Sequence, residues 1–225
     1  MSLAENLQSV LSAIAAAATR AGRDPGSVRL VAVSKTWPAV TVREIVEAGQ
    51  LVLGENKVQE LLEKVPELPA EVEWHLIGHL QQNKVRKVLP HCALIHSVDS
   101  TDLARQISRI AGELGITAPI LLQVNVANDD AKFGFPVAGV RDVFGELLAL
   151  PHLAIRGLMT VPPYDDDLEK VRPHFQKLRG LRDELAAAHH CDLSELSMGM
   201  SHDFAVAIDE GATLVRIGSS IFGHR

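Results

Sequence analysis

What this chain has little of narrows what it can be. Cysteine occurs only twice in 225 residues. Cys92 and Cys191 are too few and too far apart to frame a disulfide scaffold or a metal cluster, which fits a reducing compartment. Positive charge is not in excess, since 22 Lys and Arg stand against 28 Asp and Glu, a formal net charge of -6. The one compact basic cluster, Lys84-Val85-Arg86-Lys87, has the length of a single solvated helix face, so no nucleic-acid partner is expected. No apolar run approaches the roughly 20 residues of a membrane span. The start Met1-Ser2-Leu3-Ala4-Glu5 lacks the basic region and apolar core of a signal peptide. A soluble, cytoplasmic protein without a membrane partner is the expectation. Glycine-rich phosphate loops are missing too: neither GxGxxG nor a P-loop joins a strand to a helix, which counts against an open nucleotide-binding sheet.

What is present is a long alternation of two periodicities in a chain that is 47% hydrophobic. Leu3, Leu7, Val10, Leu11 and Ile14 recur at helical spacing up to Gly22 and predict an opening amphipathic helix. Eight short apolar or alternating runs follow, at 28–33, 51–53, 74–77, 94–97, 120–124, 155–159, 195–198 and 214–217. Helical patterns lie between them, at 42–48, 58–64, 102–114 and 137–148, then in the stretch Leu168, Val171, Phe175, Leu178, Leu181, Leu185. Pro173 falls inside this last pattern, so that helix either starts near it or is kinked. Eight strands interleaved with helices predict a (β/α)8 TIM barrel with an extra N-terminal helix. No Gly/Ser/Pro-rich linker or short-period repeat divides the chain, so residues 1–225 read as one domain.

In such a barrel chemistry is built at the carboxyl ends of the strands. Those positions hold Lys35 after the first strand, Glu55 and Asn56 after the second, His75 to His79 around the third, and Asn125 after the fifth. Met159-Thr160, Ser201 and Gly218-Ser219 follow. In a partly dry pocket a strand-end lysine could condense with an aldehyde; its ordinary role is a solvated surface charge. Gly199-Met200-Ser201 and Gly218-Ser219-Ser220 each precede a helix, in the two loops where this fold holds phosphate. Ser201 and Ser219 could instead merely cap those helices. Period-two alternation puts Arg216 on the same strand face as Gly218, where it needs an acceptor: a core carboxylate, or the ring nitrogen of a ligand. No metal is expected. His75 and His79 flank a strand end, Asp165-Asp166-Asp167 reads as a solvated loop, and His189-His190-Cys191 as a helix end.

An amine, an arginine suited to an aromatic nitrogen and a phosphate cradle together describe a site for pyridoxal 5'-phosphate. The segments Val33-Ser34-Lys35-Thr36 with Pro38, Gly54-Glu55-Asn56 with Gln59-Glu60, and 74–81 (WHLIGHLQ) with Asn83-Lys84 resemble those of the pyridoxal-phosphate homeostasis proteins. So do Arg156-Gly157-Leu158-Met159, 196–201 (LSMGMS) with Asp203, and Val215-Arg216-Ile217-Gly218 with Ile221-Phe222-Gly223. The family is similar to the barrel half of alanine racemase, the fold-type III barrel of pyridoxal-phosphate proteins, and lacks that enzyme's second domain. The resemblance implies that Lys35 carries the cofactor as an internal aldimine and that Arg216 faces the pyridine nitrogen. Ser201, Gly218 and Ser219 would hold the phosphate, Asn56 and His75 line the pocket, and Met200 pack near the ring. Ser219 stands where the family often has threonine. In 125–134 an aspartate, within Asp129-Asp130, stands where glutamate is usual; the roles of these aspartates and of Lys132 stay open.

The expected function is therefore a non-catalytic carrier that stores, buffers or delivers pyridoxal phosphate to pyridoxal-phosphate-dependent apoenzymes, acting as a monomer or weak homodimer. The alternative is a racemase of a small amino acid. Racemisation needs a base on each face of the α-carbon, whereas Lys35 supplies one and the single tyrosine, Tyr164, lies in a loop. A Schiff-base aldolase without cofactor would leave Arg216 and the double phosphate cradle unexplained.

Overall fold

The structure, a computed structural model, describes residues 2–129 and 131–223, so Asp130 lies outside the described residues. The chain opens with α1 (Leu3–Arg20), where Ser2 and Glu5 form a capping box and Leu7, Val10, Ile14, Ala17 and Ala18 make the buried stripe. Strand and helix then alternate: β1 (Arg29–Val33), α2 (Ala39–Glu47), β2 (Val52–Glu55), α3 (Val58–Lys64), β3 (Glu73–Leu76), α4 (Val85–Val88) and β4 (Cys92–Val98). Next come α5 (Thr101–Leu114), β5 (Ala118–Asn125), β6 (Phe135–Pro136), α6 (Val137–Leu148), β7 (Leu153–Met159) and α7 (Leu168–His189). The last elements are β8 (Glu195–Met200), α8 (Phe204–Asp209), β9 (Leu214–Ile217) and α9 (Ser219–Phe222).

Strands β1–β5 and β7–β9 pair in parallel in the order β4-β3-β2-β1-β9-β8-β7-β5, and the β4–β5 pairing closes the barrel. All eight strands read from the sequence are these eight. The two-residue β6 was not anticipated; it pairs Phe135 with Val124 at the tip of β5 and is too short to carry a periodicity. Helix α7 begins at Leu168 behind the Asp167 cap and keeps Pro173 inside, five residues from its start.

The strand alternation sorts side chains into two apolar layers. Leu30 and Ala32 of β1 join the large shell between sheet and helices, whereas Val31 points inward and packs with Leu94, Leu121, Met159 and Leu214 inside the barrel. Helix α1 packs on α2, α8 and α9, and the Asn6 side-chain amide donates to the Ile221 carbonyl at 2.9 Å. The extra helix thus braces the last turn of the chain, which borders the site. Among the described residues no helix is long and apolar enough to cross a membrane.

Candidate functional site

A cavity of about 430 Å³ opens at the carboxyl ends of the strands, within the range of small-molecule sites. Seven of the residues singled out from the sequence line it: Lys35, Asn56, Met200, Ser201, Arg216, Gly218 and Ser219. Val33, Ile77, Val161 and His202 complete the wall. The apolar three among these carry no polar signal; Ile77 lies two residues beyond His75 on the same alternation.

Lys35 stands on a loop fixed on both sides. Before it, the Ser34 N–H donates to the Gly54 carbonyl at 3.0 Å, and the Ser34 hydroxyl to Glu55 at 2.6 Å. Lys64 pairs with the same Glu55 oxygen and donates to the Ser34 carbonyl at 2.8 Å. Burial raises the Glu55 carboxyl pKa against the lowering pull of Lys64 and Ser34, and its second oxygen is buried without a partner among the described residues. After Lys35, Thr36 takes a φ of +67°, unfavourable for a β-branched residue, and donates its N–H to Glu60 at 2.6 Å. Lys35 itself is exposed at the rim of the cavity.

The opposite wall is made by the ends of β8 and β9. Gly199 has φ +92°, and a Cβ there would lie 2.6 Å from the Ala207 Cβ, so only glycine lets α8 follow the strand this closely. Asp203, buried, accepts from the Met200 N–H at 2.6 Å and closes the same turn. At Gly218 a Cβ would press to 3.1 Å from the Val33 carbonyl. Neither serine caps a helix: the N-caps of α8 and α9 are Asp203 and Gly218, without side-chain capping bonds. Instead the Ser201 hydroxyl accepts weakly from the Gly218 N–H at 3.4 Å, joining the two loops. Ser219 opens α9, where the first amides lack acceptors within the helix. Trp37 stacks on Phe222 at 5.7 Å and ties the Lys35 loop to α9.

Arg216 rises from the barrel interior, 4% exposed. Its guanidinium donates to the Ser197 hydroxyl at 2.6 Å and to the Thr160 carbonyl at 2.9 Å. Neither partner is a carboxylate. Burial lowers its pKa to about 10 while nearby Asp203 pulls the other way. Below it, His96 Nδ1 meets the Ser197 hydroxyl at 2.8 Å and His96 Nε2 meets His75 Nδ1 at 2.9 Å.

Of the eight residues that the resemblance places around the cofactor, His75 is therefore the one that the structure does not bring to the cavity. Alternation turns it inward, but two residues below Ile77, so it lies deep in the barrel and borders a smaller cavity at the opposite mouth. Sequence reasoning missed His96 and Ser197. Each shares an inward parity with an interior residue, Leu94 and Leu214's strand partner position respectively, but neither sits at a strand end. The remaining polar candidates serve locally. His79 pairs with Asp99 at 2.9 Å and stacks on Phe133, and Asn125 holds Asp129 through both backbone groups. Lys132 donates to the Val161 and Pro162 carbonyls at 3.2 and 2.6 Å.

A closed parallel barrel with an extra leading helix and an amine, a buried arginine and two glycine-serine loops at its mouth defines a class, and residues 6–225 match the family model of the alanine racemase N-terminal domain. Within that class the relatives are specific. The chain is 46% identical over 226 residues to the pyridoxal phosphate homeostasis protein of Aquifex aeolicus, covering 100% of this chain and 99% of that one. It is 42% identical to the protein of the same name from Pseudomonas aeruginosa, over 99% and 96% of the two chains. Among solved structures it is similar to PipY of Synechococcus elongatus with PLP bound: TM-score 0.87, 41% identity, 98% of this chain and 100% of that one. The chain belongs to the pyridoxal phosphate homeostasis protein family.

Proposed function

We propose that the protein binds pyridoxal 5'-phosphate at the carboxyl-terminal mouth of the barrel. It keeps the compound as a store or carrier for apoenzymes that use it, without turning over amino acids. The observation that carries this reading is the gathering of Lys35, Arg216 and the Ser201 and Gly218-Ser219 loops around one cavity. When bound, pyridoxal phosphate supplies an aldehyde able to condense with an amine. Lys35 offers that amine on a loop held by Ser34 and Thr36. The hydroxyls of Ser201 and Ser219, with the amides of their loops, suit a phosphate. Serine at 219 keeps the hydroxyl of the more usual threonine. Arg216 donates toward a ring nitrogen and gives up no proton to it. Asn56 and Met200 border the remaining space.

Lys35 is the one amine among the cavity-lining residues, and Tyr164 is exposed with its hydroxyl donating to Asp166 at 2.7 Å. Apart from His202, which is exposed with its Nε2 3.3 Å from the Asp165 carbonyl, the described lining residues offer no second base for racemisation. Titration with pyridoxal phosphate, followed by borohydride and peptide mass mapping, should place a pyridoxyl group on Lys35. A group found solely on Lys57, Lys84 or Lys132 would contradict the assignment.

Glu60 bears on the same amine from outside the cavity. Glu60→Ala removes the acceptor that holds Thr36 in its left-handed conformation, so the loop relaxes and Lys35 drifts. Affinity for pyridoxal phosphate should fall about fivefold, equivalent to about 1 kcal/mol, in an absorbance titration. An unchanged affinity would mean the loop is held without Glu60.

A further inference from the structure

Four polar side chains form a continuous line down the barrel axis, where the neighbouring interior residues are apolar: Arg216, Ser197, His96 and His75, each at most 4% exposed. We propose that Ser197, His96 and His75 are positioning residues, a one-way hydrogen-bond chain that fixes the Arg216 fork so that its remaining N–H groups meet the ring nitrogen of the bound ligand. The inference rests on the reading that pyridoxal phosphate binds with its ring toward Arg216.

The direction of the chain follows from what each group is able to donate. A guanidinium only donates, so Ser197 Oγ is the acceptor of the 2.6 Å contact. The single hydrogen of that buried hydroxyl then needs its own acceptor, and among the described residues His96 Nδ1, at 2.8 Å, is the one in reach. An imidazole accepting at Nδ1 carries its hydrogen on Nε2 and donates it to His75 Nδ1 at 2.9 Å. His75 in turn carries its hydrogen on Nε2. It borders the cavity of the opposite mouth, beside Arg29, Glu73, Arg156 and Glu195. The reverse polarity, with both rings protonated on Nδ1, would strand the Ser197 hydroxyl hydrogen in the core.

The chain orients Arg216; it does not conduct protons, because the guanidinium at its head does not release one. Ser197 and the Thr160 carbonyl take N–H groups on two different nitrogens, which removes the freedom of a long side chain to swing. The fork is left facing the cavity that Arg216 lines.

The test compares pyridoxal phosphate with its 1-deaza analogue, in which a C–H replaces the ring nitrogen, by equilibrium titration. The wild-type protein should prefer pyridoxal phosphate by about tenfold or more, as expected for a hydrogen bond to a charged group. Ser197→Ala and His96→Leu should reduce that preference to within about twofold while leaving affinity for the deaza analogue near the wild-type value. His96→Gln, whose carboxamide accepts from Ser197 and donates to His75, should keep most of the preference. A merely structural loss would weaken both ligands alike. Full preference in Ser197→Ala and His96→Leu overturns the positioning role alone; no preference in the wild type overturns the placement of Arg216 at the ring. Should the variants not fold, ¹⁵N NMR of the wild-type imidazoles decides. Both His75 and His96 are expected as neutral rings protonated on Nε2, and an Nδ1–H form of either overturns the chain.

Discussion

Protonation of buried histidine should cost the folded protein stability as the pH falls from about 7 to about 5, about 2 kcal/mol for His75 alone, with His96 adding in the same direction. Burial lowers the His75 pKa from 6.5 to about 3, with a smaller contribution from Arg29. His96 is driven well below its ordinary value by burial first, then by His75, Arg216 and Arg29. A depressed folded-state pKa means that the neutral ring is favoured in the native protein. The stabilisation is therefore complete above the unfolded value of 6.5 and is lost as pH falls toward the folded values. In that window the unfolded His75 takes up a proton that the native ring refuses, a slope approaching about 1.36 kcal/mol per pH unit, and His96 steepens it. Against a typical stability of about 5–15 kcal/mol, that loss is large. Urea unfolding across this range measures it. His96→Gln should lower the slope, since glutamine does not titrate. A flat stability profile from neutrality to mild acid would show that the two rings take up protons in place.

How much of this was legible beforehand differs between the wall of the barrel and its interior. All eight barrel strands announced themselves, because strands covered by helices on one side and a packed interior on the other read as apolar runs. Apart from His202, the cavity-lining polar residues were legible because the fold puts function at strand ends, so Lys35, Asn56, Ser201 and Gly218-Ser219 could be read by position alone. Depth was not. His75 lies only two residues before Ile77, and alternation tells which way a side chain points without telling at which level of the barrel it lies. The His96–Ser197 contact joins residues 101 apart in sequence. His96 sits in the apolar run Leu94-Ile95 and carries no strand-end signal. Its partner is set by barrel closure, which no local pattern encodes. The Thr36–Glu60 contact is hidden for a related reason: it depends on a left-handed threonine, and nothing in the residue type announces that conformation.

The two loop systems also divide the work differently from the sequence reading. The β8 and β9 ends are held by backbone geometry, with Gly199, Asp203 and Gly218 setting the turn and the serines left free of capping duty. The Lys35 side is held by charge, through Glu55 with Lys64 below and Glu60 above. On the proposed reading, this cradle facing an amine exposed at the rim suits a compound held by its phosphate and released at its aldehyde, as the proposed carrier role asks.

Substitution of Arg216 should separate charge from geometry. Arg216→Glu replaces two donors with acceptors, opposite the Thr160 carbonyl and close to the Asp203 carboxylate, in a site where the native side chain is 4% exposed. An uncompensated buried charge of this kind costs about 3–5 kcal/mol. At about 2–4 °C per kcal/mol for a chain of this size, the ligand-free variant should melt about 10 °C below the wild type. Its affinity for pyridoxal phosphate should fall further than that of Arg216→Lys, because, with the ring placed as proposed, a carboxylate meets the lone pair of the ring nitrogen. Arg216→Lys keeps the charge but not the planar fork. One ammonium cannot reach the Ser197 hydroxyl, the Thr160 carbonyl and a ligand ring at once, so stability should drop by only about 1 kcal/mol while affinity falls about tenfold. Thermal unfolding without ligand and an absorbance titration with pyridoxal phosphate give the two quantities separately. If Arg216→Glu melts within about 2 °C of the wild type, the guanidinium is not held by Ser197 and Thr160 as the structure has it. If Arg216→Lys binds as tightly as arginine, a point charge suffices and the fixed fork has no bearing on the ligand.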